Sequence, residues 1–599
     1  MEILITPISF MLFLPLVVIL LDLVLPVKIV RWLNIITIAS LFANTLFFVR
    51  DLPLSFSLNG EKLYVLDDLS FFTVFFANLL GFVFSIYLLK TGIKKVHIYF
   101  ILTVYFVNSA LMSDNAILFL IFWGLSGLML YLYGVIREEA AAISKKALLI
   151  SGISDALLIF AFLIIISSTG LPLRMSGSPI GINGGWIVTA FIFIALASFA
   201  KAGAFPLHTW VPEYCEKSIL ESTFLLPASL DKLMGIYLFA RLFMNFITPS
   251  EVLKIVMALL GALTIIAAVM MALIQHNGRK LLGYHAVSQV GYMVLGVATG
   301  NPIGIAGGLL HMVNHSIYKS GLFMGIGNVE SQSGTSELEK IGGLSKKMPV
   351  TFIGTLVCSF SISGIPLTNG FVSKWLVYQG VLIAMVSSSY MLGVLYMICL
   401  VLALFGSALT FASFMKFIYS SFLSKRPKRL DGVKEVSIAR QIALSINAGL
   451  CLMIGIGWRF FPLRFIDRIL PVKQITPVGF YSSPELLSVI ALSLLFGGLI
   501  YLIFKRVRFD EAFVGGQKDS ASFKISGVDF FNEVEEMPPL KSIYTAAENK
   551  WFDAFELLKA GARNLAIPLR KLHTGELSFQ LVWIVIGLFV FLFVMARGG

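Results

Sequence analysis

The chain has 599 residues and a mass of 66.0 kDa; it is 58% hydrophobic and only 13% charged, with a mean hydropathy of +0.89. An ordinary soluble domain is roughly 45–50% apolar and about 25% charged, so a soluble enzyme and a disordered chain are both excluded, and lipid must act as solvent for much of the surface. The formal charge of +13 is not a nucleic-acid footprint, because the basic residues lie in short loops between apolar runs and not on one face.

A spanning helix needs about 20 apolar residues. About sixteen runs qualify, near 3–26, 31–49, 69–89, 97–112, 115–136, 147–168, 186–205, 219–246, 252–275, 280–299, 303–328, 350–384, 388–419, 438–461, 484–504 and 578–596. The first lacks a cleavage-type end and reads as a retained helix, not a signal peptide. The expected fold is an all-α polytopic membrane protein.

Lysine and arginine placement sets the orientation. With the N-terminus outside, the inner loops hold Lys28 and Arg31, then Lys90, Lys94 and Lys95, then Arg137, Lys145 and Lys146. Further on they hold Arg279, Lys280, Lys340, Lys346 and Lys347, and finally Lys425, Arg426, Lys428, Arg429 and Lys434. The outer loops are poorer, with Arg50, Lys62, Arg174 and Lys254 ahead of a less regular 459–473 stretch.

An ionisable group near the bilayer centre costs at least about 2.5–3.5 kcal/mol, so each needs a reason. Asp155 lies in the apolar string LLISGISDALLIF. Lys201 ends a long apolar run five residues before Pro206, where the proline and Gly203 should break the helix and free backbone carbonyls at membrane depth. A lysine snorkelling from a helix end is the plainer reading. His208, in FPLHTWVP, reads equally as an interfacial histidine or a proton exit. Asp231 and Lys232 are adjacent in FLLPASLDKLMGIYLFAR, and adjacent residues point about 100° apart on a helix.

His311, His315 and Lys319 follow at i, i+4 and i+8. Each step rises about 6 Å and turns about 40°, which makes one winding stripe. Imidazole takes a proton on one nitrogen and releases one from the other. A desolvated lysine can be brought toward neutrality. A zinc site is the rival, although no third ligand lies nearby in sequence and a lysine next in the stripe repels a cation; a structural polar seam is the other. Lys374 follows a second interrupted run, SISGIPLTNGFVSKW. Interrupted segments in corresponding positions of two halves point to a transporter built from inverted repeats. Five spans per half give repeats over 97–246 and 252–419, with N-terminal helices over 1–96 and further spans over 420–504.

The last part of the chain differs. Residues 505–537 are polar and read as an inner-side loop. From 538 to 572, Ile543, Ala547, Trp551, Phe555, Leu558, Ala562, Leu565 and Leu569 recur at helical spacing, while Lys550, Asp553, Glu556, Lys559 and Arg563 mostly fill the other face. That predicts one amphipathic helix about 45–50 Å long on the membrane surface, either an anchor or a lateral brace, before a final span at 578–596. Cys215, Cys358, Cys399 and Cys451 are scattered and make no disulfide framework or iron–sulfur or zinc motif.

The strings AKAGAFPLHTWVPE, ALIQHNGRKLLGYHAVSQVGYM, HMVNHSIYKSGLF with IGGLSKKMP following, and SGIPLTNGFVSKW resemble the antiporter-like subunits of respiratory complex I, Mrp-type cation/proton antiporters and membrane-bound energy-converting hydrogenase-type complexes. The match covers about 140–420 in register. It implies a proton path in which Lys201 is the central lysine of the first half-channel, His311, His315 and Lys319 the connecting axis, and Lys374 the terminal residue of the second half-channel. Asp155 falls where the family has a membrane aspartate, and the late amphipathic helix with its final span looks like the long version of these subunits. Two departures stand out. The family's glutamate after a tryptophan, partner of the first lysine, is replaced by Gly124 after Trp123, with no acid anywhere in 115–136. The histidine of the helix after the break is also missing, near Pro227.

The expected function is therefore a proton- or sodium/proton-translocating subunit of a redox-driven complex in a prokaryotic inner membrane, with the lateral helix on the cytoplasmic side. It would hold no cofactor of its own and would work beside other membrane subunits and, indirectly, peripheral iron–sulfur subunits. A bracing subunit with a degenerate first half-channel and a stand-alone antiporter are the alternatives.

Overall fold

The structure, a computed structural model, describes residues 6–47, 49, 51–470, 484–503, 528, 531–572 and 577–597. The chain divides into two compact units, Met1–Met537 and Pro538–Gly599.

The first unit opens with α1 (Pro7–Val24) and α2 (Val27–Phe47). A small antiparallel hairpin, β1 (Leu54–Leu58) and β2 (Glu61–Leu66), interrupts the expected all-helical pattern. Its turn residues, Asn59 and Gly60, have φ of 52° and 83°, the positive-φ pair that a two-residue hairpin turn requires.

Next come α3 (Asp68–Leu88), α4 (Lys94–Met112), α5 (Ala116–Gly134), α6 (Ala141–Thr169) and α7 (Gly185–Ala202). The chain then breaks and resumes as α8 (Trp210–Lys217) and α9 (Leu220–Leu225), which runs through a π turn, Leu226–Leu230, into α10 (Asp231–Arg241). After these follow α11 (Glu251–Leu273), α12 (Gly278–Ala298) and α13 (Pro302–Ser333). The 350–384 run, expected as one interrupted span, is two helices, α14 (Pro349–Ser363) and α15 (Asn369–Ser387). The unit continues through α16 (Tyr390–Ile418), α17 (Ile438–Gly457), α18 (Pro462–Ile469), α19 (Pro484–Ile503) and the short α20 (Asn532–Glu536).

Among the described residues thirteen helices are long and apolar enough to cross a membrane. The peripheral α1, α2 and α16 leave large apolar side chains such as Trp32 and Val401 more than half exposed, as lipid-facing surfaces do. The chain is a multi-pass membrane protein. Its core is α13, buried without interruption from Gly304 to Val329 and packed against α10, α12, α14, α15 and α17. Glycines set the tightest crossings. A β-carbon on Gly291 of α12 would stand 2.5 Å from the carbonyl oxygen of Gly261 in α11, so these helices meet backbone to backbone, the usual use of small residues between membrane helices.

The second unit holds α21 (Pro538–Glu548), α22 (Ala554–Leu572) and α23 (Leu577–Arg597). The single amphipathic helix expected over 538–572 is corrected here to two helices, about 16 Å and 28 Å long at 1.5 Å per residue. Lys550 takes a positive φ of 61°, and Asp553 accepts the backbone N–H of Phe555 at 3.0 Å. One helix thus ends and the next is capped. Most of the 505–537 loop lies outside the described residues.

Candidate functional site

Two helix breaks organise the buried polar groups, and both rest on the same local chemistry. Gly203 ends α7 with φ +76°, its N–H donating to the Phe199 carbonyl at 2.7 Å; Gly364 ends α14 with φ +79°, its N–H donating to the Ser361 carbonyl at 3.0 Å. A left-handed glycine followed within three residues by a proline, Pro206 or Pro366, is a strong helix stop. Each stop leaves carbonyls unpaired in the protein interior, and each is met by an ammonium. Lys232 Nζ donates to the Ala202 carbonyl. Lys374 Nζ donates to the Ile362 carbonyl at 2.8 Å and to Ser407 Oγ at 3.0 Å. A cation at a helix C-terminus also meets the negative end of its dipole.

Lys201 is buried at the end of α7. Its Nζ donates to Ser126 Oγ at 2.7 Å, lies 5.4 Å from the centre of the Trp123 ring, and stands 3.6 Å from Asp231 Oδ1. The acid facing this lysine therefore comes from α10. Asp155 of α6 borders the space beside Trp123, because a β-carbon on Gly124 would lie 3.5 Å from Asp155 Oδ2.

The π turn explains how adjacent residues of α10 both serve this place. Pro227 lacks an N–H and its ring cannot sit in an ordinary helix interior, and the turn around it is widened to the π form. From there Asp231 reaches Lys201 and Lys232 reaches the neighbouring Ala202 carbonyl. Gly235 permits the approach, since a β-carbon there would stand 2.7 Å from the Ala202 nitrogen.

The stripe on α13 continues the series. His311, His315 and Lys319 are fully buried. His311 Nδ1 lies 2.9 Å from Ser373 Oγ, and its Nε2 lies 3.2 Å from Gln289 Oε1 and 3.3 Å from the Tyr318 hydroxyl. Ser373 precedes Lys374, so this end of the stripe reaches the second break. At the other end Ser316 Oγ donates to the Ser229 carbonyl of the π turn at 3.4 Å, two residues before Asp231. Both ring nitrogens of His315, and Lys319 Nζ, have no hydrogen-bond partner among the described residues. Lys319 Nζ lies 5.8 Å from the Phe414 ring centre.

The sequence-derived candidates thus fall into one run, from Asp155 and Lys201 through Asp231 and Lys232 to Lys319, His315, His311 and Lys374. His208, half-buried in the loop of the first break, packs on Phe205 at 5.7 Å between ring centres. Sequence reasoning passed over Ser126, Gln289 and Ser373, the polar side chains that hold the ionisable ones. Ser373 and Gln289 lie inside strings already singled out, but a serine or glutamine in an apolar helix carries no signal until its partner is known. Among the described residues no three His, Cys, Asp or Glu side chains gather as a metal site.

Residues 113–421, just over half of the chain, match the family described as NADH:quinone oxidoreductase/Mrp antiporter, transmembrane. The chain is 26% identical over 416 residues to hydrogenase-4 component B of Escherichia coli, covering 65% of this chain and 62% of that one. It is 27% identical over 398 residues to the L subunit of the F(420)H(2) dehydrogenase of Methanosarcina mazei, covering 60% and 57%. The chain thus spans less than two thirds of either relative. In fold it is similar to a chain of the membrane-bound sulfane sulfur reductase, an archaeal respiratory membrane complex, with a TM-score of 0.83, 22% identity and coverage of 98% and 100%.

Proposed function

The chain belongs to the NADH:quinone oxidoreductase/Mrp antiporter transmembrane family, and on that premise we propose that it moves protons, or exchanges sodium for protons, as an antiporter-like subunit of a multi-subunit redox-driven membrane complex. The observation that carries this reading is the buried run from Lys201 to Lys374. Four lysines, an aspartate and two histidines share the interior of one bundle, where each costs at least about 2.5–3.5 kcal/mol to place. A merely structural chain has no use for that outlay.

In this reading Lys201 and Asp231 form the loading pair of the first half, and Lys374 ends the second. Internal water bridges the steps of the stripe where side chains do not touch. Moving Asp231 relative to Lys201 changes how strongly the lysine holds its proton, because a nearby carboxylate favours the charged form. A redox step in partner subunits would bias that separation; the chain itself would hold no redox group. The five helical spans of 97–246 and the five of 252–419 serve as inverted repeats. The basic loops support an N-terminus outside, with α21 and α22 along neighbouring subunits at the cytoplasmic surface in this reading.

Gly124 favours the second reading, a brace with a dead first half-channel. Against it stands Asp231, which gives Lys201 the acidic partner that α5 lacks. Purification in mild detergent, with mass spectrometry of every chain that accompanies this one, tests the assignment. Co-purifying membrane subunits and iron–sulfur subunits are expected. A chain that purifies alone and exchanges sodium for protons in vesicles would make it a stand-alone antiporter.

A further inference from the structure

His285 has no part in the run just described. It sits on α12, fully buried. Its Nε2 lies 2.7 Å from Ser413 Oγ of α16, while its Nδ1 has no hydrogen-bond partner among the described residues. The ring packs on Phe414 at 4.7 Å between centres, and Phe414 is the ring beside which Lys319 Nζ lies with no hydrogen-bond partner among the described residues.

Ser413 and Lys416 fall at i and i+3 on α16, and Ser420 follows in the π turn Tyr419–Leu423 after it. Lys416 is 5% exposed and donates to the Leu273 carbonyl, near the end of α11, at 2.5 Å. Ser420 is 3% exposed, and its hydroxyl has no partner among the described residues. Beyond it the chain leaves the helix for the basic loop carrying Lys425, Arg426, Lys428 and Arg429. Ser413 and Lys416 thus lie on the stretch of α16 that leads toward that loop, and Ser413 touches a histidine that shares a packing ring with Lys319.

We propose that His285, with Ser413 and Lys416, is a proton relay joining Lys319 to the membrane face that bears the 425–434 loop, giving the second half of the chain an access of its own at that face. The inference rests on the reading of Lys319 as a proton carrier. An imidazole accepts a proton at one nitrogen and gives up the one on the other. One proton thus enters Nε2 from the Ser413 side as one leaves Nδ1 for the Lys319 amine through bridging water, and the ring keeps no net charge. The Ser413 hydroxyl is refilled from the Lys416 side.

The test uses the assembled complex in vesicles, with driven proton transport measured in H2O and D2O for His285→Gln, Ser413→Ala, their combination, and Lys319→Ala. Glutamine can still hydrogen-bond Ser413 but cannot exchange a proton between two ring nitrogens. The expected result is normal assembly, transport slowed about tenfold or more by His285→Gln, a larger solvent isotope effect, and a double variant no slower than His285→Gln alone. Wild-type transport by His285→Gln would overturn the relay, and so would a loss that is additive with Ser413→Ala and leaves the isotope effect unchanged, which marks a packing role. Lys319→Ala separates the two claims. If it is dead while His285→Gln is normal, only the relay fails; if Lys319→Ala itself transports normally, the carrier reading beneath it fails.

Discussion

Lys201 Nζ lies 3.6 Å from Asp231 Oδ1, and both side chains are about 1% exposed. Removing one partner of a buried ion pair leaves the other charge uncompensated, which typically costs about 3–5 kcal/mol. Asp231→Asn is therefore expected to lower the melting temperature of the purified complex and to slow proton transport about tenfold or more. Asp231→Glu, which keeps the charge, should recover part of both. Wild-type transport by Asp231→Asn would remove the acid from the mechanism.

Gly124→Glu would restore the acid of the family's pattern, but into a place whose border is already acidic. The new β-carbon would stand 3.5 Å from Asp155 Oδ2, and a second carboxylate beside the first is repelled at membrane depth. We expect poorer coupling from Gly124→Glu and near-normal transport from Gly124→Ala, for which 3.5 Å is ordinary contact. Vesicle transport by the two variants decides it: a gain with glutamate would mean that the first half is under-driven as it stands.

Gly235→Ala tests whether the Asp231–Lys201 geometry depends on how closely α10 approaches α7. Its β-carbon would meet the Ala202 nitrogen at 2.7 Å and the Ser198 carbonyl at 2.9 Å, both backbone atoms that cannot simply rotate away. Overpacking of this kind costs about 1–3 kcal/mol. Melting of the complex should fall and transport should weaken several-fold, although no ionisable group has changed. An unaltered melting curve would show that the helices separate without penalty.

At the second break, Lys374 is held by the Ile362 carbonyl and by Ser407. Ser407→Ala leaves the carbonyl in place and is expected to slow transport only two- to fivefold. Lys374→Ala removes the terminal group and should abolish it. Equal losses from the two would show that Ser407, not the lysine, sets the rate.

The sequence made the lysines, the histidine stripe and both breaks legible because each violates the apolar background around it, and a Gly–Pro stop has the same meaning wherever it occurs. The direction in which Asp231 and Lys232 point was not legible, since it follows from a π turn around Pro227 that no periodicity reveals. His285 escaped notice because Ser413, its partner, is 128 residues away. The β-hairpin was missed although Asn59–Gly60 marks its turn, its strands being too short beside long apolar runs. The division of 538–572 into two helices follows from a single positive-φ residue, Lys550, and a cap at Asp553, which interrupt an amphipathic pattern without changing its spacing.

The measurement that tests the whole account most directly is driven proton transport by the Lys319→Ala complex in sealed vesicles, with assembly checked by subunit composition. Lys319 is fully buried and shares the Phe414 ring with His285. The account predicts an intact complex that no longer moves protons. An intact complex that moves them at the wild-type rate would contradict it, because the account makes Lys319 the carrier between Lys201 and Lys374.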